Sequence, residues 1–173
     1  MNLYKTDKIR RGSLPSYQYW LRKLQSSSKP HQWTICNVLY RILYKITSIP
    51  YSNEISYLSE IGPGLYIGHP YCITINPSAK IGKNCNIHKG VTIGQENRGN
   101  RKGTPVIGDS VWIGVNSTIV GHITIGNDVL IAPNTYINCD IPSHSIVFGN
   151  PCIIKQVENA TLNYINNKFQ ESS

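Results

Sequence analysis

The 173-residue sequence predicts a mainly β fold: a triangular parallel β-helix of hexapeptide repeats behind a short α-helical N-terminal segment. Isoleucine recurs every six residues in three registers: Ile55, Ile61, Ile67 and Ile73; Ile75, Ile81, Ile87 and Ile93; then Ile107 through Ile113, Ile119, Ile125 and Ile131 to Ile137. Glycine follows many of them, at 62, 68, 82, 94, 108, 114 and 126. This period fits neither the turn of a helix nor the alternation of an ordinary strand. It fits a coil of about eighteen residues, three hexapeptides long, with isoleucines stacked inside and a small residue at each corner. Parallel pairing along the stack then satisfies the backbone between coils.

Taken in order, residues 1–30 are polar, and 16–25 are expected to form a short helix. Residues 32–47 read as a stronger one, with Trp33, Cys36, Leu39, Tyr40, Leu43 and Ile46 at three-and-four spacing and Pro50 beyond its end. Packing of that face on the first repeats is expected, with a membrane surface as the alternative. The repeats begin near residue 54 and make about five coils, blurring between Ile137 and Phe148. Ile93 and Ile107 are separated by two residues more than two repeats, so the polar stretch 95–105 must leave the helix as a loop. After Gly149-Asn150-Pro151 the chain reads as a tail, helical over 160–169. The expected divisions are 1–52 for the basic helical segment, 53–154 for the β-helix and 155–173 for the tail.

Charge divides unevenly. Residues 1–50 hold nine Lys/Arg and one acid, Asp7, whereas the remainder holds eight of each sign. Such asymmetry suits an anionic surface such as membrane headgroups; a solvated basic helix face is the plainer alternative. No run is apolar enough to span a membrane, and no apolar core follows the basic start, so a cytoplasmic location is expected. Five cysteines without a CxxC spacing read as free thiols, with Cys85 in a core slot. No histidine–cysteine–carboxylate spacing suggests a metal.

Among the histidines, His31, His122 and His144 read as structural or surface groups. His69 and His88 lie within the repeats and can exchange a proton near neutrality. Glu54 precedes His69 by fifteen residues, close to one coil, so adjacent coils can bring the carboxylate to the imidazole.

The segment from Glu54 through Ile61-Gly62-Pro63-Gly64 to Ile67-Gly68-His69 resembles the serine acetyltransferase family. So do Ile75-Asn76-Pro77-Ser78-Ala79-Lys80-Ile81-Gly82, Gly90-Val91-Thr92-Ile93-Gly94 and Gly149-Asn150-Pro151-Cys152. The similarity covers roughly residues 54–154. It implies a left-handed β-helix, an exception to the usual right-handed crossover. It also implies acetyl-CoA as co-substrate, a homotrimer and active sites between subunits. The family's catalytic histidine falls on His69 and its aspartate on Glu54, which keeps a carboxylate able to orient the imidazole.

Two departures concern the acceptor. The family's aspartate before the catalytic histidine is Gly68 here, and an arginine–histidine pair before a proline is Gly103 and Thr104. Losing these groups removes charge-assisted bonds to an amino acid, at about 1.5–3 kcal/mol each. The helical N-terminal domain is also much shorter than the family's, as in members that resemble capsular-polysaccharide acetyltransferases. The expected activity is therefore O-acetylation of a hydroxyl, first of a saccharide for a surface polysaccharide. L-serine is the alternative, and a nucleotide-sugar amine or a non-catalytic β-helix are lesser ones. His88 and Thr104 are candidate acceptor contacts; Arg98, Arg101 and Lys102 are candidates for CoA phosphates or an anionic sugar. By the resemblance, Gly114, Val115, Ala132 and Pro133 flank the pantetheine arm. No nucleic-acid partner and no metal are expected.

Overall fold

The computed structural model describes residues 2–27 and 34–170. Three short-stranded sheets form the sides of a left-handed β-helix of about five turns, with three helices before it. Sheet A stacks Glu54–Ile55, Thr74–Ile75, Thr92–Gly94, Thr118–Val120 and Tyr136–Ile137 in parallel. Sheet B stacks Glu60–Ile61, Lys80–Ile81, Val106–Ile107 and Thr124–Ile125. Sheet C stacks Tyr66–Gly68, Asn86–His88, Trp112–Ile113, Val129–Ile131 and Ser145–Phe148, and Ile153–Gln156 closes it antiparallel.

The repeat isoleucines form three internal columns. On sheet C, Ile67, Ile87, Ile113 and Ile131 lie in register and end under Val147. All five side chains are buried, as are Cys85 and Ala79. Burial pushes the Cys85 thiol up to about 12, and all five cysteines are free. The corner glycines permit close stacking: a Cβ on Gly82 would stand 2.6 Å from the Gly108 carbonyl carbon.

The N-terminal segment closes the first coil. It comprises α1 (Leu3–Arg11), α2 (Ser16–Gln25) and α3 (Ile35–Ser48), the last continued by a 3-10 turn at Ile49–Tyr51. Tyr17 and Leu21 of α2 join the β-helix core. Below them lies a buried ion pair. Arg22 donates to both carboxylate oxygens of Asp7, at 2.7 and 3.0 Å, and to the carbonyls of Ile61 and Gly62, each at 2.8 Å. Asp7 also accepts from the Leu65 N–H at 2.8 Å. Arg10 is buried too, donating to the Gly64 carbonyl and the Asn86 side chain. Two of the nine basic residues of this segment are thus internal ties rather than surface charge.

Three sequence expectations are corrected. Residues 3–11, read only as polar, form α1, with Asn2 capping its first turn. Helix α3 forms as expected, but Leu39 and Ile46 of the expected packing face are exposed; Asn37 and Ser48 are the buried positions. Residues 160–169 are turns rather than helix and lie along sheet C. There Asp128 accepts from the N–H groups of Ala160 and Thr161, and Asn84 and Asn86 donate to the carbonyls of Phe169 and Tyr164. Side-chain ties to the β-helix thus substitute for a helix's internal bonds. Trp33 and His31 lie outside the described residues.

Candidate active site

One edge of the prism, between sheets C and A, collects His69 and the four predicted pantetheine contacts. In the first coil it carries Gly68, His69, Pro70, Tyr71 and Cys72, between strands Tyr66–Gly68 and Thr74–Ile75. His69 is exposed and left-handed (φ +51°), a conformation that costs a non-glycine residue about 1–2 kcal/mol. The coil below restrains the turn. Asn53 donates from Nδ2 to the Pro70 carbonyl (3.0 Å) and accepts from the Ile73 N–H (2.9 Å), while the Cys72 N–H donates to the Tyr51 carbonyl (2.9 Å). Glu54 follows Asn53 directly, and its own N–H donates to the Ile73 carbonyl at 2.8 Å. Glu54 therefore opens a sheet A strand in register with Thr74, next to the Asn53 that fastens the His69 turn. The Glu54 and His69 side chains do not hydrogen-bond to each other, and both are exposed. Asn53, which fastens the His69 turn, was not singled out from sequence; its place just before the candidate carboxylate was the available signal.

Higher on the same edge stand the predicted pantetheine contacts. The Asn116 N–H donates to the Lys89 carbonyl (3.0 Å) and the Asn134 N–H to the Val115 carbonyl (2.9 Å), tying successive coils there. Gly114 packs so closely that a Cβ would stand 2.6 Å from the Pro133 nitrogen. Gly114, Val115, Ala132 and Pro133 thus lie in line above His69.

The loop 95–105 leaves from a different edge, between sheets A and B. It is pinned by mutual backbone bonds between Glu96 and Gly103, at 2.9 and 3.0 Å, and by the His122 N–H donating to the Arg101 carbonyl at 2.8 Å. Arg98 and Arg101 line a hollow of about 430 Å³ there, with Asn138. Thr104 donates to the Ser78 carbonyl at 3.0 Å. Within one chain, the width of sheet A separates Arg98, Arg101, Lys102 and Thr104 from His69.

His88 sits on the outer face of sheet C, in register with Gly68. Its Nδ1 lies 2.9 Å from the Ile113 carbonyl, which can only accept, so Nδ1 carries the proton and Nε2 presents a lone pair. Burial holds its pKa below the ordinary value, against the raising effect of that bond, and His69 nearby adds to the lowering. The ring rests where a residue-68 side chain would lie: a Cβ on Gly68 would stand 2.5 Å from His88 Cδ2 and 2.8 Å from Nε2. Trp112 packs on the imidazole (centroids 4.6 Å apart), and Tyr164 of the tail packs edge-on to Trp112 at 5.2 Å. Together with Tyr66, Asn86 and Asn167, these groups line a hollow of about 290 Å³.

A larger groove, of about 610 Å³, runs between α3 and sheet A. Glu54, Thr74 and Asn76 lie on its sheet side, and Arg41, Tyr44 and Lys45 on its helix side. Among the described residues, no group of three or more His, Cys, Asp or Glu is placed to hold a metal ion.

A coiled stack of isoleucine-centred hexapeptides with a histidine on one edge defines a class, and the comparisons agree with it. The family described as bacterial transferase hexapeptide (six repeats) matches residues 104–139. The chain thus carries the repeat of the hexapeptide-repeat transferase family.

Within that family, its similarity is to serine acetyltransferases. That of Staphylococcus xylosus is 36% identical over 120 residues, covering 69% of this chain and 56% of the relative. Serine acetyltransferase isoform 3 of Entamoeba histolytica, solved with cysteine, superposes with a TM-score of 0.71 at 26% identity, over 95% of this chain and 63% of that one. The Neisseria gonorrhoeae serine acetyltransferase, solved with serine, gives 0.62 at 28% identity, over 80% and 53%. The chain thus spans only about half to two thirds of the length of these relatives.

Proposed function

We propose that this protein transfers an acetyl group from acetyl-CoA to a hydroxyl, with His69 as the general base. The observation that carries the proposal is the edge itself: an exposed histidine held in a fastened turn, below the close-packed corners at Gly114 and Pro133. In the reaction, an imidazole nitrogen of His69 takes the proton of the acceptor hydroxyl as its oxygen attacks the thioester carbonyl. The tetrahedral intermediate collapses, the C–S bond breaks, and CoA leaves as the thiolate, which regains a proton. Glu54, the carboxylate that the family resemblance sets against this histidine, would hold the imidazole tautomer. Arg98, Arg101 and Lys102 meet the donor's phosphates if a homotrimer sets the loop of one chain against the edge of the next. Acetyl-CoA as donor implies reaction in the cytoplasm.

The names of the relatives favour L-serine as acceptor, making O-acetylserine. A second reading, a saccharide hydroxyl, is supported by Gly68 and its neighbourhood. No carboxylate stands beside His69 at position 68 to meet an ammonium group, and the neutral His88 ring fills that space. The adjoining hollow offers aromatic faces and amide groups, which suit sugar C–H faces and hydroxyls.

Acetyl-CoA-dependent thiol release with L-serine, free sugars and nucleotide-sugars tests both readings. Release with serine establishes the first acceptor, and release with a saccharide alone establishes the second. His69→Ala is expected to abolish turnover while the protein stays folded; retained activity would remove His69 from the mechanism.

A further inference from the structure

Helix α3 is built the wrong way round for a helix lying on a protein core. Ile35, Leu39, Ile42 and Ile46, with Ile49 just beyond, follow one another at three-and-four spacing and share one face. They are 50–89% exposed. The inward face is the polar one: Asn37 and Ser48 are buried, and the Tyr44 hydroxyl donates to the Ile55 carbonyl. A surface helix ordinarily turns its apolar stripe to the core and its polar face to water. Here the fold leaves an aliphatic ridge about 20 Å long uncovered.

The exposed charge of the helical segment itself has one sign, with Glu54 of sheet A facing α3 across the groove. Lys45, three residues after Ile42 and four before Ile49, flanks the ridge and is exposed; Lys23 is exposed on α2, which packs on α3, and Lys5 and Lys8 are exposed on α1 beyond it. Asp7, the sole acid among residues 1–50, is buried against Arg22 and offsets nothing outside. A two-fold contact between copies would set Lys45 near its own equivalent; a three-fold contact would not, and a mass measurement separates that case. An anionic bilayer answers both features, taking the aliphatic ridge at the acyl boundary and the lysines among its headgroups.

We propose that the α3 ridge docks this protein on the surface of a membrane rich in anionic lipid, without crossing it. Among the described residues, no helix is long and apolar enough to span a bilayer. The proposal is independent of the acetyl-transfer reading.

The test is flotation of the full chain with phosphatidylcholine vesicles, with and without phosphatidylglycerol, at low and high salt. The wild type is expected to float with the phosphatidylglycerol vesicles and to be weakened by salt. The double variant Ile42→Asp, Ile46→Asp is expected to bind at least about tenfold more weakly. Both positions face solvent, so its melting temperature should be unchanged. Absence of flotation by the wild type, or undiminished flotation by the variant, overturns the proposal. So does a fall in mass by light scattering in the variant, which would make the ridge an interface between copies.

Discussion

Gly68→Ala is a small change with a large expected cost. The added methyl would stand 2.5 Å from His88 Cδ2 and 2.8 Å from Nε2, well inside van der Waals contact. The ring has little freedom to retreat. Nδ1 is bonded to the Ile113 carbonyl at 2.9 Å, and the Trp112 and Tyr66 rings lie 4.6 and 6.3 Å from the imidazole between centroids. Displacing it forfeits one hydrogen bond, about 1 kcal/mol, and strains a packed stack by about 1–3 kcal/mol. A loss of about 2–4 kcal/mol follows, read as a lower urea midpoint at unchanged slope. Removing the ring relieves the clash, so Gly68→Ala combined with His88→Ala should lose less than the sum of the single changes, by about 1–3 kcal/mol. A neutral Gly68→Ala, or a strictly additive pair, refutes the steric coupling. Gly68→Asp with His88→Ala carries the test into function: it restores a carboxylate beside His69 and is expected to raise activity toward L-serine relative to a saccharide.

Other expectations follow from the ties that hold the ends of the chain. Asp7→Ala strands the buried Arg22 guanidinium and should destabilise the protein by about 3–5 kcal/mol, measured by denaturant unfolding. Burial pushes the Asp128 carboxyl upward, but bonds from the Thr161 hydroxyl and N–H, from His144 and from the Ala160 N–H outweigh it and hold the pKa below its ordinary value. Its contribution is therefore present above about pH 3.9 and lost as pH falls through the lower folded value. Loosening of the tail should appear in that window as a change in Trp112 fluorescence, because Tyr164 packs on that indole; Asp128→Asn should show it at neutral pH. His88 has a lowered pKa, so its neutral form favours the fold. Stability should hold above about pH 6.5 and decline below it, as the unfolded chain takes up a proton that the folded one resists. His88→Leu should flatten that decline.

The repeat was legible because a coil is a local object. Each isoleucine needs only its own place in the period to know that it faces inward, and the interval from Ile93 to Ile107 alone required the loop 95–105 to leave the stack. What lay beyond reach depended on which surfaces meet. Periodicity showed that α3 is amphipathic but not which face meets the protein. That is decided by the Tyr44 bond to the Ile55 carbonyl, the Ser27 bond to Asn37 and the packing of Tyr40 on Trp20 of α2, and it turned the aliphatic ridge outward. The tail at 160–169 has a composition that permits a helix, yet Asp128, Asn84 and Asn86, distant in sequence, supply its bonds instead. Gly68 and His88 read in the sequence as a missing acid and a spare histidine. Only the parallel register of sheet C sets one over the other and makes them a single feature. By itself, the sequence determined the fold class and the loop, both of which follow from local repetition, and it offered His69 as a candidate base through the family resemblance. The tertiary structure decided the exposed face of α3, the path of the tail and the surroundings of His88, because each depends on contacts between residues far apart in the chain.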